Sequence, residues 1–199
     1  FAHTSITTKD FAEELVGLYT MYSFEALSSC QNLLSSHDVR RFLNRSENNV
    51  YALKSAMFLQ ATFPGVAGIY YGDEVGLNGG DEPLNREAFP WHDEDSWNND
   101  LRNWVKELMN LKSELGPLKN GKFELIGYSD SAVAYRRYDN SDSVICIINR
   151  DSSLKEWKIE TDFEDIELIW GHKDIEIKNK KIIIKNLVPY SAAIFKEID

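Results

Sequence analysis

"LRNWVKELMNLKSELGPLKNGKFELIGYSDSAVAYRRY", residues 101–138, is where the chain changes its period, and that change sets the fold class. Up to residue 115 the apolar positions Leu101, Trp104, Val105, Leu108, Leu111 and Leu115 recur at the spacing of one helix face. Gly116 and Pro117 then supply a stop. From Gly121 onward apolar and polar residues alternate, as they do along strands.

Downstream, "KFELIG", "SAVAYRRY", "SVICIIN", "KEWKIE", "IELIW", "DIEIK", "KIIIKNL" and "SAAIFK" read as eight short strands, with Asn179-Lys180 turning a hairpin. That number suits a small β-sandwich over residues 117–199. Upstream, Thr7 and Asp10 form a capping-box-like start for a helix carrying Phe11, Leu15, Leu18, Tyr19 and Tyr22. Asn32-Leu33-Leu34 is a short apolar run consistent with a buried strand. Ser46 is the expected cap of a second helix, with Val50, Leu53, Met57, Phe58 and Ala61 on one side and Pro64-Gly65 closing it. Val66 to Tyr71 is another short buried run. Residues 1–116 therefore alternate strand and helix. Two such units cannot close a barrel, so they read as the end of a larger α/β domain.

Composition limits the function. The chain has 199 residues, 43% hydrophobic and 27% charged, as in a soluble globular protein of one or two domains. A net charge of −10 and an isoelectric point near 4.9 argue against a nucleic-acid surface. No apolar run approaches the roughly 20 residues of a membrane span. Phe1, with no basic-then-apolar leader after it, reads as the interior of something longer. Cys30 and Cys146 are expected as buried free thiols rather than a disulfide. The compartment stays open, with the cytoplasm favoured over secretion. "DEDSWNNDLRNW" lacks the glycine and final glutamate of a calcium loop, no Cys/His spacing suits zinc, and no P-loop ending is present. No metal and no cofactor are expected.

Two stretches carry chemistry. In "NLLSSHDVRRF", residues 32–42, Asp38 follows an apolar strand, where α/β domains place working residues. A carboxylate there can stabilise positive charge, His37 can donate to a hydroxyl, and Arg41 can orient a carboxylate. A solvated turn explains the same dipeptide, whereas Ser36, His37 and Asp38 are consecutive and do not form a triad. In "PGVAGIYYGDEVGLNGGDEPLNREAFPW", residues 64–91, Tyr70, Tyr71, Phe89 and Trp91 offer flat faces of the kind that stack on sugars. Between Asp73 and Asp100 there are nine acidic residues and one cation, Arg86. Arg86 is either a salt bridge to Asp81 or Glu82 or a clamp on sugar hydroxyls.

Taken in order, these stretches resemble the α-amylase superfamily, glycoside hydrolase family 13, and within it the neopullulanase, cyclomaltodextrinase and α-glucosidase-like members. "SSHDVRRF" resembles the Asn-His-Asp-x-x-Arg motif after the seventh barrel strand, and "PGVAGIYYGDE" the Tyr-Tyr-Gly-Asp-Glu motif around the eighth. "GGDEPLNREAFPW" is similar to the loop that follows. "LRNWVKELMNLKSELGPLKNG" is similar to the last barrel helix, and the end of the chain, "LVPYSAAIFK", to the family's C-terminal sandwich. Ser36 replaces the usual Asn, Ala67 a Pro and Glu82 an Asp.

The resemblance implies the last βα units of an incomplete (β/α)8 barrel in residues 1–116, followed by the β-sandwich. It implies that Asp38 is the transition-state carboxylate, that His37, Arg86 and Glu82 bind substrate, and that Arg41 and Tyr71 support them. The substrate class would be an α-glucan or maltooligosaccharide, cleaved with retention at α-1,4 or α-1,6 bonds. The nucleophile and acid/base belong to motifs absent from this chain, so the expected partner is the N-terminal part of a parent chain and the 199 residues alone are expected to be inactive. A homodimer is compatible with the pattern. The rival readings are a non-catalytic relative acting as a scaffold and a carbohydrate-binding module built from the sandwich.

Overall fold

The computed structural model describes residues 6–163 and 165–198; Phe1, read above as interior to a longer chain, lies outside them. Helix α1 (Thr8–Met21) begins at the expected capping box, with Asp10 N donating to Thr7 Oγ1 at 3.1 Å and Thr7 N to Asp10 Oδ2 at 3.2 Å. Phe11, Ala12 and Leu15 are buried, whereas Leu18, Met21 and Tyr22 are exposed. A short helix α2 (Phe24–Ser29), capped by Ser23, leads into strand β1 (Gln31–Leu33).

Ser46 does not cap the next long helix. It ends a short helix α3 (Phe42–Arg45), and Asn49 caps α4 (Val50–Thr62) by accepting from the amides of Tyr51 and Ala52. Asn49 wins because it directly precedes the helix, after a turn in which Glu47 and Asn48 are both left-handed. Helix α4 is buried nearly all round, as a central helix must be when other elements cover each side. Strand β2 (Val66–Gly68) pairs parallel with β1, in the register Asn32↔Ala67. Gln60 of α4 ties both strands by donating to Asn32 O at 2.8 Å and Gly68 O at 2.7 Å.

Helix α5 (Asn99–Glu114) buries Leu101, Val105 and Leu108. The Gly116-Pro117 stop ends it but also starts a further turn of helix, α6 (Gly116–Asn120), because proline is tolerated in a first helical turn.

All eight expected strands follow: β3 (Lys122–Tyr128), β4 (Ala132–Tyr138), β5 (Ser143–Asn149), β6 (Leu154–Glu160), β7 (Asp165–Gly171), β8 (Ile175–Lys178), β9 (Lys181–Leu187) and β10 (Ala192–Ile198). They form a five-stranded antiparallel sheet in the order β3-β4-β5-β10-β7 and a three-stranded one in the order β6-β9-β8. Asn179 and Lys180 turn the β8–β9 hairpin, both at positive φ.

The alternation along β5 splits two cores. Val144, Cys146 and Ile148 join the core containing α1, α4 and α5, while Ile145 and Ile147 join one shared with Ile159, Ile182 and Ile184 of the smaller sheet. A strand covered on both faces reads as a nearly continuous apolar run, and "SVICIIN" is one.

The first core runs across residue 116, from Phe11 to Leu118, Phe123 and Ile194. A polar knot reinforces the same junction. Arg137, fully buried, donates to Gly121 O at 2.8 Å, to Lys122 O at 3.2 Å and to Thr62 O. Lys112 donates to Ala61 O at 2.8 Å and Leu118 O at 3.1 Å. These cations meet the free carbonyls at the C-terminal end of α4. Burial, with the Arg137 charge adding to it, lowers the Lys112 amine to about 8. Both cysteines are free, but only Cys146 is buried; Cys30 follows α2 and is exposed.

Candidate functional site

The site is built on three loops at one end of the β1–β2 pair. In the first, Ser36 and Val39 form an antiparallel bridge, and Asp38 N donates to Ser36 Oγ at 3.1 Å. This pinch puts His37 and Asp38 at the tip, with 66% and 70% of their side chains exposed. His37 Nε2 lies 3.2 Å from Asp38 Oδ2.

Arg41 sits at the base of the same loop, with no exposed surface. Its carboxylate partner is Asp73 rather than Asp38: Nη1 donates to Asp73 Oδ1 at 2.9 Å and to Tyr71 O at 2.8 Å. The guanidinium also lies 4.5 Å from the Tyr70 ring centre and 4.9 Å from that of Tyr71. Burial pushes the Asp73 carboxyl up from its ordinary range, against the downward pull of bonds from Ser35 and Arg41. Asp73 reaches this position because Gly72 turns the chain at φ +88, where a side chain would be strained. The Tyr71 hydroxyl donates to Glu87 O at 3.0 Å, strapping the second loop to the third.

The third loop clips the first. Asn85, itself buried, donates to His37 O at 2.9 Å and Val39 O at 3.1 Å, and Arg86 Nε donates to His37 O at 2.9 Å. Arg86 Nη1 meets Glu82 Oε1 at 3.0 Å, so Glu82 is the arginine's ion-pair partner. Asp81, the other candidate for that role, is held by Arg40 through a forked pair that keeps its carboxyl below the usual range. Beside this loop Phe89, Trp91 and Trp97 pack together, Phe89 lying 4.3 Å from Trp91 and 5.3 Å from Trp97. Trp91 remains 68% exposed.

The structure therefore gathers His37, Asp38, Arg86 and Glu82 around one loop, buries Arg41 beneath it and leaves Tyr71 beside Arg41 but 40% exposed. Sequence reasoning missed Asp73 and Asn85 as the groups that hold the loop. Nothing in the sequence near Arg41 points to either residue, since each acts across more than thirty positions of the chain. Chemically, the tip offers one exposed carboxylate, an imidazole and a cation on a braced backbone. That set can bind hydroxyls and stabilise developing positive charge. It does not contain a nucleophile paired with a separate acid.

A family model described as "Alpha amylase, catalytic domain" matches residues 4–133. The chain is 31% identical over 186 residues to a maltogenic alpha-amylase of Bacillus acidopullulyticus, covering 90% of this chain and 31% of that protein. It is 32% identical over 158 residues to a cyclomaltodextrinase of Geobacillus thermopakistaniensis, covering 78% of this chain and 27% of that one. The chain thus spans less than a third of these relatives' length. Among solved structures, the debranching enzyme of Nostoc punctiforme aligns over 97% of this chain and 40% of its own, with a TM-score of 0.86 at 24% identity. That likeness shows a shared fold of mixed helix and sheet.

Proposed function

The chain belongs to the α-amylase family, and on that premise we propose that it is the C-terminal part of a retaining α-glucan-acting glycoside hydrolase. In this reading β1 and β2 with their helices, residues 1–116, are the last units of a (β/α)8 barrel. Residues 117–199 are the β-sandwich that follows. The exposed apolar side chains of Leu18, Tyr22, Leu33 and Val66, beside the two-stranded pair, support a neighbouring barrel element packing there.

The observation that carries the functional reading is the braced, exposed His37–Asp38 tip. Asp38 stabilises the oxocarbenium-like transition state by its negative charge. His37 binds hydroxyls of the sugar being cleaved, Arg86 helps define the adjoining sugar subsite, and Glu82 pairs with Arg86 and binds substrate beside it. Arg41 from beneath and Tyr71 beside it fix the loop. A retaining glycosidase also needs a nucleophile and an acid/base about 5–5.5 Å apart. Those two carboxylates would come from upstream of this segment. Hydrolysis of α-1,4 or α-1,6 bonds follows when water takes the glycosyl group, and transfer follows when a sugar hydroxyl does.

Two measurements test this. The 199-residue chain alone should release no reducing sugar from maltotriose; release that Asp38→Ala abolishes would overturn the reading. In a parent chain containing this segment, Asp38→Ala should lower kcat at least about 100-fold.

A further inference from the structure

A cleft between α4, α5 and the turn before β10 lies outside the site described above. It encloses about 620 Å³ and is lined by Tyr51, Lys54, Trp104, Trp170, His172 and Tyr190, among others. No lining residue comes from the loops that hold Asp38 or Arg86. Its floor depends on Gly171, at φ +101, where an added Cβ would sit 2.1 Å from Ala192 O. That close approach lets the end of β7 lie directly against the start of β10.

The rim carries a costly residue. Val188 to Ser191 form a turn closed by Ser191 N donating to Val188 O at 3.3 Å, with Pro189 second and Tyr190 third at φ +60. A proline followed by positive φ is the pattern of a turn that takes Gly or Asn at the third position. A tyrosine held there is a steric expense of the kind that collects at functional sites. Tyr51, on the first turn of α4, also lines the cleft and is 69% exposed, so the core does not use its ring.

The wall is rigid. Trp170 stacks on Phe58 at 5.7 Å and 9°, and Trp104 packs 5.5 Å from Trp170. Polar groups alternate with these rings. Lys54 Nζ lies 5.5 Å over Trp104. His172 Nε2 is 2.8 Å from Lys185 O, a group that only accepts, so Nε2 donates to it.

Aromatic faces interleaved with donors and acceptors suit a pyranose, whose C–H faces stack while its hydroxyls bond. We propose that this cleft is a second, non-catalytic binding site for a glucose oligomer, with Tyr51 and Tyr190 at its rim and Trp104 and Trp170 in its wall. Only the choice of an α-linked chain as ligand rests on the reading of Asp38. Because α4 and α5 supply part of the lining, the site is not a property of residues 117–199 alone.

The test is calorimetric titration of the 199-residue chain with maltoheptaose, with tryptophan fluorescence followed in parallel. Binding with a fluorescence change is expected, and Tyr51→Ala and Tyr190→Gly should each weaken the cleft's share of it by about tenfold. Both variants should fold: alanine is a good helix former at an exposed position, and glycine relaxes the turn. Circular dichroism melts check this, and the titrations are repeated on the Asp38→Ala background, so that binding at the cleft is read apart from any at the Asp38 tip. Absence of binding overturns the proposal, as does affinity indifferent to both tyrosine variants. Affinity lost with Asp38→Ala but kept in Tyr51→Ala also overturns it, while leaving the Asp38 reading intact.

Discussion

The β1–β2 pair and the five-stranded sheet are held in different ways. Every residue of β5 is buried, with one face against helices and the other against the smaller sheet. In β1, by contrast, Gln31 and Leu33 are exposed, and the pair is fixed from one side by α4. Polar straps do there what apolar packing does in the sheet: Gln60 spans both strands, Arg41 joins two loops through Asp73, and Asn85 with Arg86 clips the third loop to the first. Apolar packing is shared among many neighbours and degrades gradually. A strap rests on a few directional bonds from one side chain, and losing that side chain removes them all at once.

The sharpest way to break this contrast is to cut a strap. Arg41→Met leaves the buried Asp73 carboxylate unpaired, and such losses cost about 3–5 kcal/mol. Urea unfolding should show this, and adding Asp73→Leu should recover most of it; no recovery would mean that the pair is not the cause.

In the sheet, Ile147→Val removes one methylene from a fully packed position and should cost about 0.5–1.5 kcal/mol. A larger loss there than in Arg41→Met would reverse the comparison.

The junction between the regions should respond to pH. Lys112 titrates near 8 when folded and near the ordinary lysine value when unfolded. Between those values the unfolded state binds more protons, so this group's contribution makes stability rise as pH increases from about 8 toward about 10. Lys112→Met should flatten that rise in thermal melts taken across the window. The smallest effect is expected at the exposed Arg40–Asp81 pair, where Arg40→Ala should leave the urea midpoint unchanged.

The two regions also differed in how far the sequence revealed them. Each strand from β3 to β10 announces itself within seven residues or fewer, by alternation or by a solid apolar run between turns. Helix α5 was legible because a long apolar face meets a Gly-Pro stop. Helix α2 was not, since six residues are too few to display a period. Ser46 and Asn49 are both good caps, and only the left-handed turn between them decides which one works. At the site, the exposed members stood out as a motif. The members that hold it did not, because Asp73 is 32 residues from Arg41 and Asn85 is 48 from His37. Distance along the chain hides such pairs, and burial is not written in any one residue.

The position of β10 has a consequence for how the protein is made. It is the last strand among the described residues, yet it lies inside its sheet, hydrogen-bonded to β5 on one side and β7 on the other. Until residues 192–198 have been synthesised, β5 and β7 each present an unpaired edge, and Ile194 and Phe195 are missing from the two cores. The sheet therefore closes late and through contacts distant in sequence, a topology associated with slow folding. During synthesis the nascent chain carries two sticky strands in waiting, and residues 192–198 are the ones that retire them.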